Sequence, residues 1–245
     1  MKLPEMKLPE MKLSEMKLSE LKLSKIEFSE IKIRIKEFFK SHRYAMVLLY
    51  IPCYLLYFGI LELFPHENYH IIHCPLDALI PTIPVFFLPY ALWWILFPGA
   101  LVFFLFSGSK KEFLRLCFIL FGGYTVCLIV YTVWPNGIEI RQPLPGHDFF
   151  SWCIRLLRSI DPPQNVCPSM HVSSTVAIDI TVQDCQELSR SVKIGERIVA
   201  LLIILATMFI KQHSVVDVAL GILLSLVLDF VWRGINPHND HDKKL

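Results

Sequence analysis

Residues 113–134, FLRLCFILFGGYTVCLIVYTVW, decide what kind of fold this chain can adopt. Apart from Arg115 the run carries no formal charge. As a helix it is long enough to cross a hydrocarbon core of roughly 30 Å with its backbone groups paired internally. Two runs of similar length precede it, Tyr44 to Phe64 and Ile83 to Phe106. Pro52, Pro89 and Pro98 interrupt them, which membrane helices tolerate where neighbouring groups satisfy the freed carbonyls. Three weaker candidates follow: His171 to about Leu188, which contains Asp179; Arg197 to Gln212, which is short; and Ser214 to Trp232. The expected fold class is all-α, a polytopic membrane helical bundle with six transmembrane helices.

Composition agrees with that reading. Of 245 residues 54% are hydrophobic, above the roughly 45–50% of a soluble domain, and the mean hydropathy is +0.49. A net charge of +2 excludes the strongly basic footprint of a nucleic-acid binder, so no nucleic-acid partner is expected. How the charge is distributed says more than its sum. With six spans, 20 of the 24 Lys and Arg fall on the side of the termini, leaving Arg141, Arg155, Arg158 and Lys211 on the other. By the positive-inside rule both termini are cytoplasmic and the loops bearing Arg141 and Lys211 face away from the cytoplasm.

Three regions are expected. Residues 1–43 form a basic tail built on repeats such as MKLPE, whose period of five matches neither helix nor strand. Low complexity of this kind predicts disorder. Towards its end Phe28, Ile31, Ile35, Phe38 and Phe39 have the spacing of an amphipathic helix at a membrane surface. Residues 44–233 form the membrane domain, and residues 234–245 a second cytoplasmic tail. The charged repeat lacks the apolar core and small-residue cleavage site of a signal peptide.

The chemistry gathers at two histidines. In NVCPSMHVSS, residues 165–174, Pro168 and Ser169 place His171 where a helix begins, and free backbone N–H groups there suit an anion. In KQHSVVDVALG, residues 211–221, Asp217 follows His213 by one helical turn, so its carboxylate can hold the imidazole. Either motif alone is commonly a local pairing. Together, at the same end of neighbouring spans, they suggest one histidine attacking phosphorus and one protonating the departing oxygen.

PSMH followed by HSVVD resembles the second and third signature motifs of the type 2 phosphatidic acid phosphatase superfamily, whose members are six-span membrane phosphatases and phosphotransferases. The likeness covers roughly Phe113 to Trp232. It implies that His213 is the nucleophile of a phosphohistidine, that Asp217 orients it, that His171 is the general acid, and that no metal or other cofactor is needed. The first motif is incomplete: in WPNGIEIRQP, residues 134–143, Arg141 matches the arginine, but Trp134 stands for the lysine and Gln142 separates Arg141 from Pro143. The Ser-Arg pair that opens the third motif is Ala206-Thr207 here. Arg141, Ser169 and Lys211 are the expected phosphate ligands in place of the two absent cations. In these losses the chain resembles the sphingomyelin-synthase and inositol-phosphorylceramide-synthase branch, which passes a phosphorylated headgroup to an alcohol.

The implied partner is a lipid phosphate or phospholipid entering from the membrane. Hydrolysis, giving a phosphatase, and transfer to a hydroxyl both stay open. A bacterial plasma membrane with the site facing outward is the default location, and a eukaryotic organelle membrane is the alternative. The rival function is a non-catalytic membrane protein, either a transporter or a degenerate binder of lipid phosphate.

Other residues carry weaker expectations. Asp179 is expected to pair inside the bundle rather than relay a proton. Asp77, in CPLDALIP at 74–81, lies in an outward loop that either covers the site or is an ordinary interfacial loop. Trp93, Trp94 and Trp134 suit interface anchoring. His66, His70 and His73 lack a ligand framework for zinc. With an odd count of seven cysteines, free buried thiols are favoured over a Cys153–Cys167 pair.

Overall fold

The computed structural model describes Ile33 and residues 37–64, 66–107, 109–144 and 146–237. The repeats of the N-terminal tail, with Phe28, Ile31 and Ile35, and the C-terminal tail beyond Pro237 lie outside the described residues. The chain divides into two units, Met1–Met46 and Val47–Leu245. In the first, residues 37–41 are helical and His42 stacks on Phe38.

Among the described residues the second unit is built from α1 (Tyr50–Leu63), α2 (Pro75–Leu79), α3 (Phe87–Phe106), α4 (Lys110–Val133), α5 (Phe149–Ile160), α6 (Met170–Asp184), α7 (Arg190–Phe209) and α8 (Val215–Ile235). Two-residue strands β1 (His70–Ile71) and β2 (Asn136–Gly137) pair in parallel, and Gly137 also bridges to Gln164. This joins three loops at one end of the bundle. A side chain at 137 would meet the Pro163 carbonyl at 2.5 Å and the Tyr69 ring at 2.7 Å, so only glycine lets them approach.

Serine caps start the later helices. Ser109 caps α4 in a reciprocal box with Glu112, while Ser169, Ser189 and Ser214 accept from the first-turn amides of α6, α7 and α8. Pro52 and Pro89 fall in the first turns of α1 and α3, each of which continues from a 3-10 stretch, Arg43–Leu49 and Pro84–Phe86, and Pro98 lies in the interior of α3.

Four segments are long and apolar enough to cross a membrane: Arg43–Leu63, Pro84–Phe106, Lys110–Val133 and Val215–Ile235. The other two expected spans are corrected in their bounds. The segment expected from His171 to Leu188 is α6, which ends at Asp184. Its 15 residues reach about 22 Å, short of a hydrocarbon core. The segment expected from Arg197 begins seven residues earlier, at Arg190, because Ser189 caps it, and its first two turns hold Arg190, Lys193, Glu196 and Arg197. A helix the sequence reading missed is α5. Asp148 caps it, Cys153, Ile154 and Leu157 are buried, and Phe149, Trp152, Leu156 and Ile160 are exposed.

At the centre, α6 packs against α3, α4, α7 and α8. Its polar residues are satisfied within the bundle: Ser173 bonds Ser225 of α8 at 2.8 Å, and Thr181 bonds the Ala177 carbonyl. Small residues let these backbones approach closely. A Cβ at Gly221 of α8 would lie 2.8 Å from the Ser169 carbonyl, so this glycine sets the α6–α8 spacing beside the two histidines. Outward faces of α1, α3 and α8 are apolar and exposed, with Leu56, Ile95 and Phe230 among them.

The far end is closed by charge. Arg115 of α4 is buried and pairs with Asp229 at 2.6 Å and Asp184 at 2.7 Å, and Arg233 joins both carboxylates. Asp179 forms a bidentate pair with Arg197 at 2.9 and 3.0 Å; it is paired as expected, but with an exposed arginine at the edge of the bundle and not inside it. Antiparallel packing leaves the starts of α3, α6 and α8 at the opposite end, where the site lies.

Candidate active site

His213 follows the C-terminus of α7, and the turn that ends this helix aims it. Lys211 adopts the left-handed conformation at φ 58°, a position usually given to glycine. The amides of Gln212 and His213 then fold back onto the Thr207 carbonyl at 2.9 and 3.1 Å. His213 Nδ1 lies 2.8 Å from Asp217 Oδ2, one turn into α8. An ionised carboxylate only accepts, so Nδ1 carries the hydrogen and Nε2 holds the free lone pair. Asp217 is fully buried, and its Oδ1 has no hydrogen-bond partner among the described residues.

His171, the second residue of α6, faces His213 with ring centroids 5.8 Å apart. The structure therefore brings together the three expected catalytic residues, His171, His213 and Asp217. Tyr90 of α3 places its hydroxyl 3.1 Å from His171 Nε2, and Trp93 covers the same ring at 4.4 Å while donating to Ser174. Trp93 thus belongs to the site, which corrects its reading as an interface anchor. Trp94 is largely exposed, and Trp134 stacks on His70.

A cavity of about 430 Å³ opens in front of the two histidines. Its lining includes the polar residues Arg141, Asp161, Gln212 and Glu62 and the aromatic residues Tyr50, Tyr54, Phe58, Phe97 and Phe121. Arg141, the remaining expected phosphate ligand, lines the cavity. Two of its nitrogens bond the Asp161 and Pro162 carbonyls, while buried Nε has no partner among the described residues. Burial pulls its pKa down, opposed by Asp161, Tyr90 and Glu62. Asp161 makes no side-chain hydrogen bond or ion pair among the described residues, and burial raises its pKa against the pull of Arg141 and His213.

The other two expected phosphate ligands are corrected. Ser169 is fully buried and its hydroxyl accepts the Val172 amide at 3.2 Å as the cap of α6, because a helix start needs that acceptor. Lys211 is 3% exposed and donates to the Asp77 carbonyl at 2.6 Å; burial lowers its pKa and Asp77 opposes the shift. Neither lines the cavity.

Asp77 neither covers the site nor lies in an ordinary interfacial loop. It is buried and clamps the loop behind His213. Its carboxylate accepts from Ser214 Oγ at 2.6 Å, the Val215 amide at 2.9 Å and the Cys74 amide at 2.7 Å. Burial alone would raise its pKa; these donors and Lys211 together hold it below the usual value. On the other side Asn136 holds the loop before His171, accepting from the Val166 and Cys167 amides and donating to the Cys167 carbonyl. Tyr131 donates to the Pro168 carbonyl at 2.6 Å.

Sequence reasoning missed Tyr90, Gln212, Asp161 and Glu62 as lining residues. Tyr90 sits in an unbroken apolar run, which marks nothing. Gln212 adjoins His213 and could have been found by that adjacency. All seven cysteines are free, Cys153 and Cys167 among the buried ones. Among the described residues no group of three His, Cys, Asp or Glu is placed to hold a metal ion. Neither a protein-family model nor a curated protein matches the chain.

Proposed function

We propose that this protein is an integral membrane phosphatase or phosphotransferase acting on lipid phosphate esters or pyrophosphates through a phosphohistidine on His213. The observation that carries the reading is the His213–Asp217 pair beside His171 at the wall of a cavity lined by both polar and aromatic side chains. A lipid presents the same two-part character, a phosphorylated head and an apolar chain. The resemblance of PSMH and HSVVD to the type 2 phosphatidic acid phosphatase motifs supports the same roles.

In this mechanism His213 Nε2 attacks phosphorus. The P–N bond forms as the ester P–O bond breaks, and His171 gives its proton to the leaving oxygen. Asp217 stabilises the developing positive charge on His213. Water or a lipid hydroxyl then attacks the phosphohistidine, its proton passing to His171 as the P–N bond breaks. Tyr90 and Trp93 hold the His171 ring in place for both steps.

The six-span topology belongs to the same proposal. α6 and α7 complete the bundle with the four longer segments, and the excess of Lys and Arg on the side of the termini puts the site on the non-cytoplasmic face. The scarcity of phosphate-binding cations favours one rival, a lipid-phosphate binder without turnover. To test the reading, wild type and His213→Ala are purified in detergent. Each is given phosphatidic acid, a prenyl pyrophosphate, or a phospholipid with ceramide or diacylglycerol. Phosphate or a new lipid formed only by wild type, with an acid-labile phosphohistidine, is the expected result. Equal product from both proteins overturns it, and binding without product favours the rival.

A further inference from the structure

The outer surface of α5 is left unexplained by the histidine chemistry. At 3.6 residues per turn Phe149, Trp152, Leu156 and Ile160 fall on one strip about 80° wide that runs from the first turn of the helix to its last. These residues are between 49% and 73% exposed, and the Phe149 and Trp152 rings stack at 6.2 Å. A second arc is docked on protein: Ile154 and Leu157 pack with Tyr90, Ala206 and Ile210, and Phe86 and Phe87 close on the same cluster. The remaining arc carries Arg155, Arg158 and Ser159. Both arginines are engaged there by backbone, Arg155 donating to the Leu144 and Gly146 carbonyls and Arg158 to those of Gln142 and Ile210. A helix with a docked arc, a polar arc and an exposed apolar arc suits a boundary between water and an apolar phase.

The level at which α5 is docked says what that phase is. Phe86 and Phe87 stand at the start of Pro84–Phe106, one of the four segments long and apolar enough to cross a membrane. The first residues of such a segment mark the depth at which headgroups give way to hydrocarbon. α5 packs on that start, where Val85 and Leu88 are exposed as well. Its 12 residues reach about 18 Å, too short to cross a bilayer, so a helix at this level lies along the interface.

We propose that α5 is an interfacial helix lying in the bilayer leaflet on the side of the two histidines, with Phe149, Trp152, Leu156 and Ile160 inserted among the lipid chains and the arginine arc turned to headgroups and water. Ile160 also lines the cavity, so the cavity rim at this helix meets lipid headgroups instead of bulk water. The assignment needs the bundle to sit in a membrane and does not depend on phosphoryl chemistry.

Spin labels measure the depth. The full chain carrying Cys53→Ser and Cys74→Ser, which replace the two cysteines that are not buried, is labelled at Phe149→Cys or Leu156→Cys and reconstituted in phosphatidylcholine vesicles. Ile95→Cys, exposed about 16 Å along the span from Pro84, calibrates the membrane core, and Glu67→Cys, exposed in the loop after α1, calibrates water. Collision rates of each label with oxygen and with a water-soluble nickel chelate give its depth. Both α5 labels are expected about 5–10 Å below the headgroup phosphates and level with each other. Nickel accessibility equal to that of the Glu67→Cys label overturns the proposal, because the strip is then in water. A depth difference of about 10 Å, the rise of seven residues in an upright helix, overturns it too. So does protection from both reagents, since protein such as a second copy of the chain then covers the strip. Thermal unfolding of each labelled protein controls for folding, and Trp152→Cys replaces either position at which the Tm falls.

Discussion

Replacing Asp77 with alanine should loosen the site without touching a residue that lines the cavity. The carboxylate accepts three hydrogen bonds at 2.6, 2.7 and 2.9 Å, two of them from the start of α8 immediately after His213. A hydrogen bond to a charged group contributes about 1.5–3 kcal/mol. Such bonds within one network are not additive, and breaking a buried charged network costs about 3–5 kcal/mol. For a chain of this size that corresponds to a fall in Tm of about 6–20 °C. Asp77→Asn keeps one acceptor oxygen but turns an amide towards the Cys74 N–H, so about 1–3 kcal/mol is expected. The assay is thermal unfolding in detergent from pH 3 to 8. Because the carboxyl pKa is depressed in the fold, its contribution is complete above the unfolded value of about 4 and is lost as pH falls through the folded one. The gap between wild type and Asp77→Asn should therefore be constant from pH 5 to 8 and close below about 4. An Asp77→Ala protein within about 0.5 kcal/mol of wild type at pH 7 would refute the clamp.

Asp217→Asn should leave the fold in place and reduce turnover by about 10²–10⁴-fold, measured as kcat on the best substrate of the panel, because the amide no longer fixes the His213 tautomer. Gly221→Ala should destabilise the bundle by about 1–3 kcal/mol in chemical unfolding, since its Cβ would meet the Ser169 backbone at 2.8 Å and part α6 from α8. For Asp161 the sign is opposite to that of Asp77. Burial raises its pKa, so its ionised form disfavours the fold at high pH and the penalty fades as pH falls through the raised value. Asp161→Asn should then have a higher Tm than wild type at pH 8 and the advantage should disappear near pH 4.

Whatever depends on neighbours in the chain could be read from the sequence. Long apolar runs announced the four helices long and apolar enough to cross a membrane, because a helix in lipid pairs its own backbone and needs only length and hydropathy. The contact between His213 and Asp217 was legible from their spacing of four residues, although His213 lies just before the cap of α8 and not within the helix. The same local rules misdirected the reading at Ser169 and Lys211. Both adjoin the histidines in sequence, yet a helix cap claims one hydroxyl and a carbonyl of the distant Asp77 claims the ammonium. Tertiary packing alone decided that His171 meets His213, that Tyr90 and Trp93 close over His171, and that Asp77 reaches across to Ser214 and Val215. These contacts join residues tens to more than a hundred positions apart. They follow from how close the helices can approach, which Gly221 and the small residues of α6 control, and no periodicity along the chain encodes that distance.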